Sequence, residues 1–442
     1  MSSPDEQRDL PRGAFVALAL ALPLALFAVH HDLGHAGDLE FFHRWYLAFR
    51  EGPAFYRDGP GLNYPILGVL AVCGPARIAD AVLGTPLSLA EYRLVLKATL
   101  VVGEFALISG LAALGRELRL PTPRRLALVV FALPAVWSVG GWFGQVDVWG
   151  TTLLVAACAA AIRYARSGSF TTLLVALACA IGALLMKQLT LFSLPGVALL
   201  IASGLAARRR PSHVALALVA PLACLLPDPW LTLPDGYRSH LAWVLLGGGS
   251  AHGDMVSGGG ASVWALVFGN PSWSARSVGW LGVSLYHWAL ALFFTALVPA
   301  LAWLRARWRE PSAVVLFIGY TNLAMAVLLT GVHERYVVHG APFLLLGVAA
   351  RASRPAFVLL ACVLSWWGLF VLASLHPDAA ILWPFRRAEP TAIALAVTLV
   401  ALALAMTRRA RGEEEAADTD SASDGSSRSG ARIRTKPEGA KE

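Results

Sequence analysis

Charge is what this sequence has least of. Only 14% of its 442 residues are Asp, Glu, Lys or Arg, where a soluble domain carries about a quarter. A chain so poor in charge cannot clothe a water-facing surface, which excludes a soluble globular protein and leaves lipid as the solvent. Cysteine is scarce too. The five residues Cys73, Cys158, Cys179, Cys224 and Cys362 are scattered, mostly within apolar stretches. None forms a CxxC or a Cys/His ligand spacing, which argues against disulfides and a structural zinc site. The formal net charge is +8, yet the bases occur as short clusters between apolar runs, and the tail from Arg408 onward balances its bases with acids. Nucleic acid is therefore not expected as a partner.

What is abundant is apolar: 57% of the chain is hydrophobic. A span needs about 20 mostly apolar residues, so one continuous helical bundle fits better than several soluble domains. The first run, Ala14 to Val29, follows Arg8 and Arg12. A signal peptide would need a small-x-small site after the run, where His30-His31-Asp32 stand instead. A retained first span is expected, with residues 1–13 as a cytoplasmic N-terminus.

The arginines set the topology. Clusters stand at Arg116/Arg119/Arg124/Arg125, Arg163/Arg166, Arg208–Arg210, Arg305/Arg307/Arg309, Arg351/Arg354 and Arg408/Arg409/Arg411. If each marks a cytoplasmic loop, adjacent clusters enclose even numbers of spans. The apolar runs 93–115, 125–141, 146–162, 170–186, 189–207, 213–231, 277–304, 312–331, 336–350, 355–374 and 391–407 allow this. With the first run they predict an all-α polytopic bundle of about 12 transmembrane helices, occupying residues 14–407. Pro65 to Leu83 is left out because Gly74, Pro75, Arg77 and Asp80 interrupt it, and because counting it would put the Arg116–Arg125 cluster outside. Residues 31–92 then form a long first external loop with an interfacial or re-entrant helix. A second external loop, 232–274, is Gly-rich and expected to be mobile. The tail, 408–442, has hardly any large apolar residues and is expected to be disordered. No internal repeat is evident, which counts against transporters built from matching halves.

Ionisable groups at span ends are functional suspects, and this topology puts four such clusters on the external side. The first is Gly37-Asp38-Leu39-Glu40 with His43, Arg44 and Trp45. Two carboxylates at a membrane surface can act as general bases, while Glu40 and Arg44 have the spacing of a helical ion pair. A solvated interfacial helix is the plainer alternative. The second is Asn63-Tyr64-Pro65, by itself a rigid turn before a helix. The third is Gly144-Gln145-Val146-Asp147 between Trp142 and Trp149, joined by Lys187-Gln188 at the outer end of a helical hairpin. An external lysine could neutralise a phosphate or pair with Asp147 to hold spans together. The fourth is His333-Glu334-Arg335. It suits an anionic headgroup and is not an HExxH zinc motif, since position 337 is Val.

In this order the clusters resemble the GT-C superfamily of membrane glycosyltransferases, and within it the glucosyltransferases that use polyprenyl(dolichyl)-phosphate-glucose. Those carry a Gly-Asp-x-Glu with a nearby Trp, a Tyr-Pro-Pro, a Gln-containing loop, a Lys-Gln with a downstream Pro, and a His-Glu-Lys. The matches here are Gly37–Glu40 with Trp45, Asn63-Tyr64-Pro65, Gln145, Lys187-Gln188 with Pro195, and His333-Glu334-Arg335. Ile66, Gly331 and Arg335 depart from the pattern, and Gly-Gln-x-Asp at Gln145 and Asp147 looks more like bacterial relatives.

The resemblance implies a GT-C-like fold and an inverting hexosyltransferase acting on the extracytoplasmic side. Its catalytic carboxylates would be Asp38, the base, and Glu40. Lys187, His333 and Arg335 would bind the donor phosphate. Trp45, Tyr64, Gln145, Asp147, Gln188 and Glu334 would bind substrate or support the site. No metal or cofactor is implied beyond a polyprenyl-phosphate-sugar co-substrate, because the leaving group is a single phosphate. Partners would be membrane lipid, that donor, and a glycan, lipid or protein acceptor. The Ala, Leu, Arg and Gly bias points to a bacterial plasma membrane; a eukaryotic source would place the chain in the endoplasmic reticulum. A transporter or flippase of a lipid-linked or polar solute is the alternative class.

Overall fold

The structure, a computed structural model, describes residues 9–59, 61–248, 255–269, 273–351, 354–376 and 378–428. In chain order its helices are α1 (Arg12–His30), α2 (Ala36–Arg50), α3 (Ile66–Leu83), α4 (Leu89–Glu117), α5 (Pro123–Ala132), α6 (Pro134–Trp142), α7 (Asp147–Ser167) and α8 (Phe170–Met186). They continue with α9 (Leu194–Arg208), α10 (Pro211–Trp230), α11 (Val263–Phe268), α12 (Leu285–Arg305), α13 (Pro311–Leu328), α14 (Ala341–Arg351), α15 (Arg354–Leu375) and α16 (Ala388–Arg428). One antiparallel hairpin, β1 (Gly279–Trp280) and β2 (Val283–Ser284), precedes α12, with Trp280 opposite Val283. The chain is thus an all-α polytopic bundle.

Among the described residues nine helices are long and apolar enough to cross a membrane, or ten if α5 and α6 count as one span bent by 71°. The bend has a local cause. Leu133 precedes Pro134 and is driven to extended backbone (φ −72°, ψ 133°), as the proline ring requires of its neighbour. The expectation of about 12 spans is corrected in two ways. Three of the runs form helices of only 17, 15 and 11 residues, namely α8, α9 and α14. They are short because polar segments at Lys187–Phe192 and His333–Gly340 interrupt the helical backbone. The run that was left out, α3, is itself long and apolar enough. It packs along α2 and against two helix ends: Gly68 lies against the Met186 carbonyl at the end of α8. The Val72 carbonyl accepts from Tyr92 in the first turn of α4 (3.1 Å).

Tight packing sits at the bundle centre. α13 is buried over most of its length. Gly319 and Gly347 let α13 and α14 touch backbone to backbone: a Cβ on Gly319 would lie 2.5 Å from Leu344 N, and one on Gly347 2.7 Å from Leu316 Cα. Small residues serve helix pairs this way in lipid, where dispersion replaces hydrophobic burial as the driving force.

The two ends of the bundle differ in chemistry. At one end Glu117 pairs with Arg163 (3.1 Å) and Arg166 (2.8 Å), and Glu310 with Arg351 (2.5 Å). There too Arg124 meets Asp9 (3.9 Å). The other end gathers the C-terminus of α1 with the segments preceding α3, α7, α9 and α14. α2 and α3 are fastened together there by Asp80, which accepts from Tyr46 (3.1 Å), Arg50 (2.7 Å) and Arg77.

Three further segments carry local structure that hydropathy alone does not give. The run 277–304 begins as the β hairpin, and helix starts only at Leu285. Gly258 and Gly260, in the loop expected to be mobile, both donate to the Val332 carbonyl (3.1 and 3.0 Å); Gly249 lies outside the described residues. The tail expected to be disordered is helical through Arg428. Glu413–Ala417 is rich in good helix formers, and extending a helix already nucleated by a span needs no new nucleus; residues 429–442 lie outside the described residues.

Candidate active site

Asp38 occupies the first turn of α2, which begins where His35 caps it: His35 Nδ1 accepts the Asp38 backbone N–H at 3.1 Å. The imidazole is held by stacking on Phe143 (5.2 Å between centroids) and by its backbone N–H to the Phe143 carbonyl (3.2 Å). Its Nδ1 also lies 3.4 Å from Asp38 Oδ2. The half-buried carboxylate accepts from Gln145 Nε2 (2.5 Å) and faces Arg335 at 3.5 Å. Burial alone would push its pKa up. The close approach of His35 and the charges of Arg335 and Lys187 outweigh that and hold it at about 2. His35 is raised in turn, chiefly by the nearby Asp38 carboxylate.

From Gln145 the polar contacts, hydrogen bonds and one ion pair, run inward. Tyr64 Oη donates to Gln145 Oε1 (2.8 Å), and Lys187 Nζ donates to Tyr64 Oη (2.6 Å). Lys187 lies 3.2 Å from Asp147 Oδ2, with both side chains buried. His339 closes the series, its Nε2 2.9 Å from Asp147 Oδ1 and its Nδ1 3.1 Å from Thr151 Oγ1. On the outer side Arg335 pairs with Glu334 (2.9 Å) and lies over the Phe143 ring (5.0 Å). Trp367 Nε1 anchors the Glu334 carbonyl (2.8 Å). Five segments far apart in sequence therefore share one polar network at one end of the bundle. It offers a partly exposed carboxylate beside a guanidinium, an arrangement suited to taking a proton near an anion. Among the described residues no three His, Cys, Asp or Glu side chains gather as a metal ion would need.

No family model matches the chain, and no curated protein matches it in sequence. Among solved structures it is similar to the crystal structure of ArnT from Cupriavidus metallidurans bound to undecaprenyl phosphate. The identity is 16% and the TM-score 0.47, over 90% of this chain and 77% of that one. At that level of similarity nothing carries over to individual residues.

Of the expected site residues, the structure joins Asp38, Tyr64, Gln145, Asp147, Lys187, Glu334 and Arg335 directly. His333 stands at the rim, its Nδ1 3.9 Å from Glu334 Oε2. Trp45 and Gln188 support Tyr64 and its neighbour: the Trp45 ring packs edge-on to Tyr64 (5.1 Å), and Gln188 Nε2 donates to the Asn63 carbonyl (3.2 Å). Glu40 is not brought in. It is exposed on the far side of α2, and its expected partner Arg44 instead lies over Phe41 (4.5 Å).

Residues not singled out from sequence also contribute: His35, Phe143, Thr151 and His339 in the network, and a second cluster behind it. There Lys97 Nζ donates to the His30 and Trp142 carbonyls (2.8 and 3.0 Å), while Glu104 Oε1 accepts the Gly141 N–H (2.7 Å). These bonds hold the turn that delivers Gln145. The available signal was two charged residues inside an apolar run.

Proposed function

We propose that the chain is an inverting glycosyltransferase that moves a hexose from a polyprenyl-phosphate-sugar to an acceptor hydroxyl. The observation that carries this reading is Asp38, a solvent-reachable carboxylate tied through one network to the cations Lys187 and Arg335. In the reaction the acceptor oxygen attacks the anomeric carbon from the face opposite the phosphate. The carbon–oxygen bond to the phosphate breaks and its electron pair leaves on the lipid phosphate. The acceptor proton passes to Asp38.

A carboxylate with a pKa near 2 is a weak base, and the resting contacts are what keep it so. A phosphate that engages Arg335 draws the guanidinium away from Asp38. The carboxylate then keeps only Gln145 and His35 beside it and gains basicity when an acceptor is to be deprotonated. Lys187, matched by Asp147, stabilises negative charge through Tyr64 and across the network. The phosphate leaves without a second phosphoryl group, so the chemistry makes no demand for a metal. The arginine-bearing connections at the opposite end fit the cytoplasmic side, which supports an extracytoplasmic site, in a bacterial plasma membrane by composition.

The test is transfer by purified protein in nanodiscs from labelled polyprenyl-phosphate-hexoses, with and without a chelator. Turnover should survive chelation, and Asp38→Asn should lower it by about 10²–10⁴-fold while the protein stays folded. Normal turnover in that variant sinks the base. Uptake of solute into vesicles with no new glycosidic bond would replace the enzyme by a transporter.

A further inference from the structure

The network just described satisfies itself. Lys187 is matched by Asp147, and Arg335 by Asp38 and Glu334, so three carboxylates face two fixed cations. A phosphate arriving there finds no uncommitted positive charge. Beside it lies a cavity of about 440 Å³ that shares Glu334 with the site and is lined also by Gly259, Ser374, Arg386, Arg387 and Glu389. Several arginines at this end are paired: Arg50 and Arg77 with Asp80, Arg57 with Asp58. Arg386 gives one hydrogen bond, to the Ala379 carbonyl (3.2 Å). Among the described residues neither it nor Arg387 has a carboxylate within ion-pair distance, and both are exposed.

The remaining lining fits a lipid-borne anion. Phe370 of α15 and Ala265 of α11 supply apolar walls. The neighbouring Leu266, Val267 and Phe268 of α11 are exposed (39%, 66% and 37%) at the same end, where a hydrocarbon chain could lie against them. Glu334 is already neutralised by Arg335 at 2.9 Å. Glu389 stands in the first turn of the long helix α16, whose positive end offsets its charge.

We infer that Arg386 and Arg387 form a receiving site for the phosphomonoester of the polyprenyl donor, from which it passes along the cavity to Arg335. This rests on the glycosyltransferase reading above. A guanidinium pair binds a phosphate through paired N–H donors. It would hold the donor phosphate before the Asp38–Arg335 contact opens, so that the base is released only when donor is present.

The experiment titrates a long-chain polyprenyl phosphate into the full chain in phosphatidylcholine nanodiscs. Polyprenol and inorganic phosphate serve as controls, and phosphatidylglycerol as competitor. Arg386→Gln/Arg387→Gln should weaken polyprenyl phosphate binding at least about tenfold, leave polyprenol binding unchanged, and keep the wild-type melting temperature. Arg386→Lys/Arg387→Lys should fall between, keeping the charge but losing the fork. Equal binding by the double Gln variant, with wild-type transfer intact, overturns this inference alone. Equal competition by phosphatidylglycerol overturns the donor assignment in favour of a bulk-lipid contact. A wild-type chain that neither binds polyprenyl phosphate nor transfers sugar overturns both readings.

Discussion

Replacing Lys187 by Met separates two roles that its position allows, strut between helices and holder of negative charge. The ammonium is 3% exposed, Asp147 is 0% exposed, and they lie 3.2 Å apart. Removing one partner of a buried pair typically costs about 3–5 kcal/mol, because the other charge is left uncompensated. Asp147 keeps His339 at 2.9 Å, which places the expected loss for Lys187→Met near the lower end, about 3 kcal/mol. Adding Asp147→Asn removes the stranded charge, so the double variant should recover about 2 kcal/mol of that loss. Unfolding in detergent, followed by melting and by SDS titration across the double-mutant cycle, reads this coupling. Transfer should behave differently. The single variant loses the Lys187–Tyr64 hydrogen bond, and the double variant does not restore it, so turnover should stay low while stability returns. Additive destabilisation would refute the coupled pair. Recovery of stability and turnover together would refute any role of Lys187 beyond holding the helices.

Two further outcomes follow from the geometry. The pKa of Asp38 is depressed from 3.8 to about 2 in the folded chain. The stability it contributes, about 2 kcal/mol, is therefore full above about pH 4 and lost as pH falls towards 2. The melting gap between wild type and Asp38→Asn should be widest at neutral pH and narrow at about pH 3; a constant gap would contradict the ion-pair account. Gly260→Ala should destabilise by about 1–3 kcal/mol and lower transfer, because its Cβ would lie 2.5 Å from the Val332 carbonyl oxygen and loosen the turn carrying Arg335. Gly13→Ala, with nothing within 4 Å, should melt like wild type in the same scan.

Much of the bundle was legible because lipid demands long apolar helices and arginines punctuate them. Every arginine cluster from Arg116 to Arg354 falls in or beside a helix connection at one end. What was not legible was where a helix yields to the site. Lys187 leaves α8 with extended backbone (φ −152°, ψ 122°), because the side chain must reach Tyr64 and Asp147 rather than continue along a lipid-facing helix. Window hydropathy registers the apolar residues on both sides and misses the break. The same holds for Leu329–Gly340, where the turn bearing Glu334 and Arg335 separates α13 from α14 and leaves the latter 11 residues long. The hairpin before α12 was hidden for a related reason: Trp280, Leu281 and Val283 are as apolar as any span, and all three are exposed.

At the site, residue types were readable while their pairing was not. Asp38 and Glu40 looked like two carboxylates serving one reaction. Once His35 caps the helix, residues two apart point to nearly opposite faces, so one enters the network and the other meets solvent. The pairing of Lys187 with Asp147 stood open beside a phosphate contact, and only the fold brings these two groups within 3.2 Å. Lys97 and Glu104 make the converse case. They are seven apart, hence on one face of α4 two turns from each other, and both are almost fully buried. Neither belongs in lipid unless it serves the interior. What they serve is the turn at Gly141 and Trp142, whose backbone N–H and carbonyl they bind at 2.7 and 3.0 Å. That turn keeps helix-type bonds of its own, from the Phe143 N–H to the Ser138 carbonyl (2.9 Å) and from the Gln145 N–H to the Val139 carbonyl (3.2 Å). Lys97 and Glu104 brace it from below, so the accuracy with which Gln145 meets Asp38 rests on them as well.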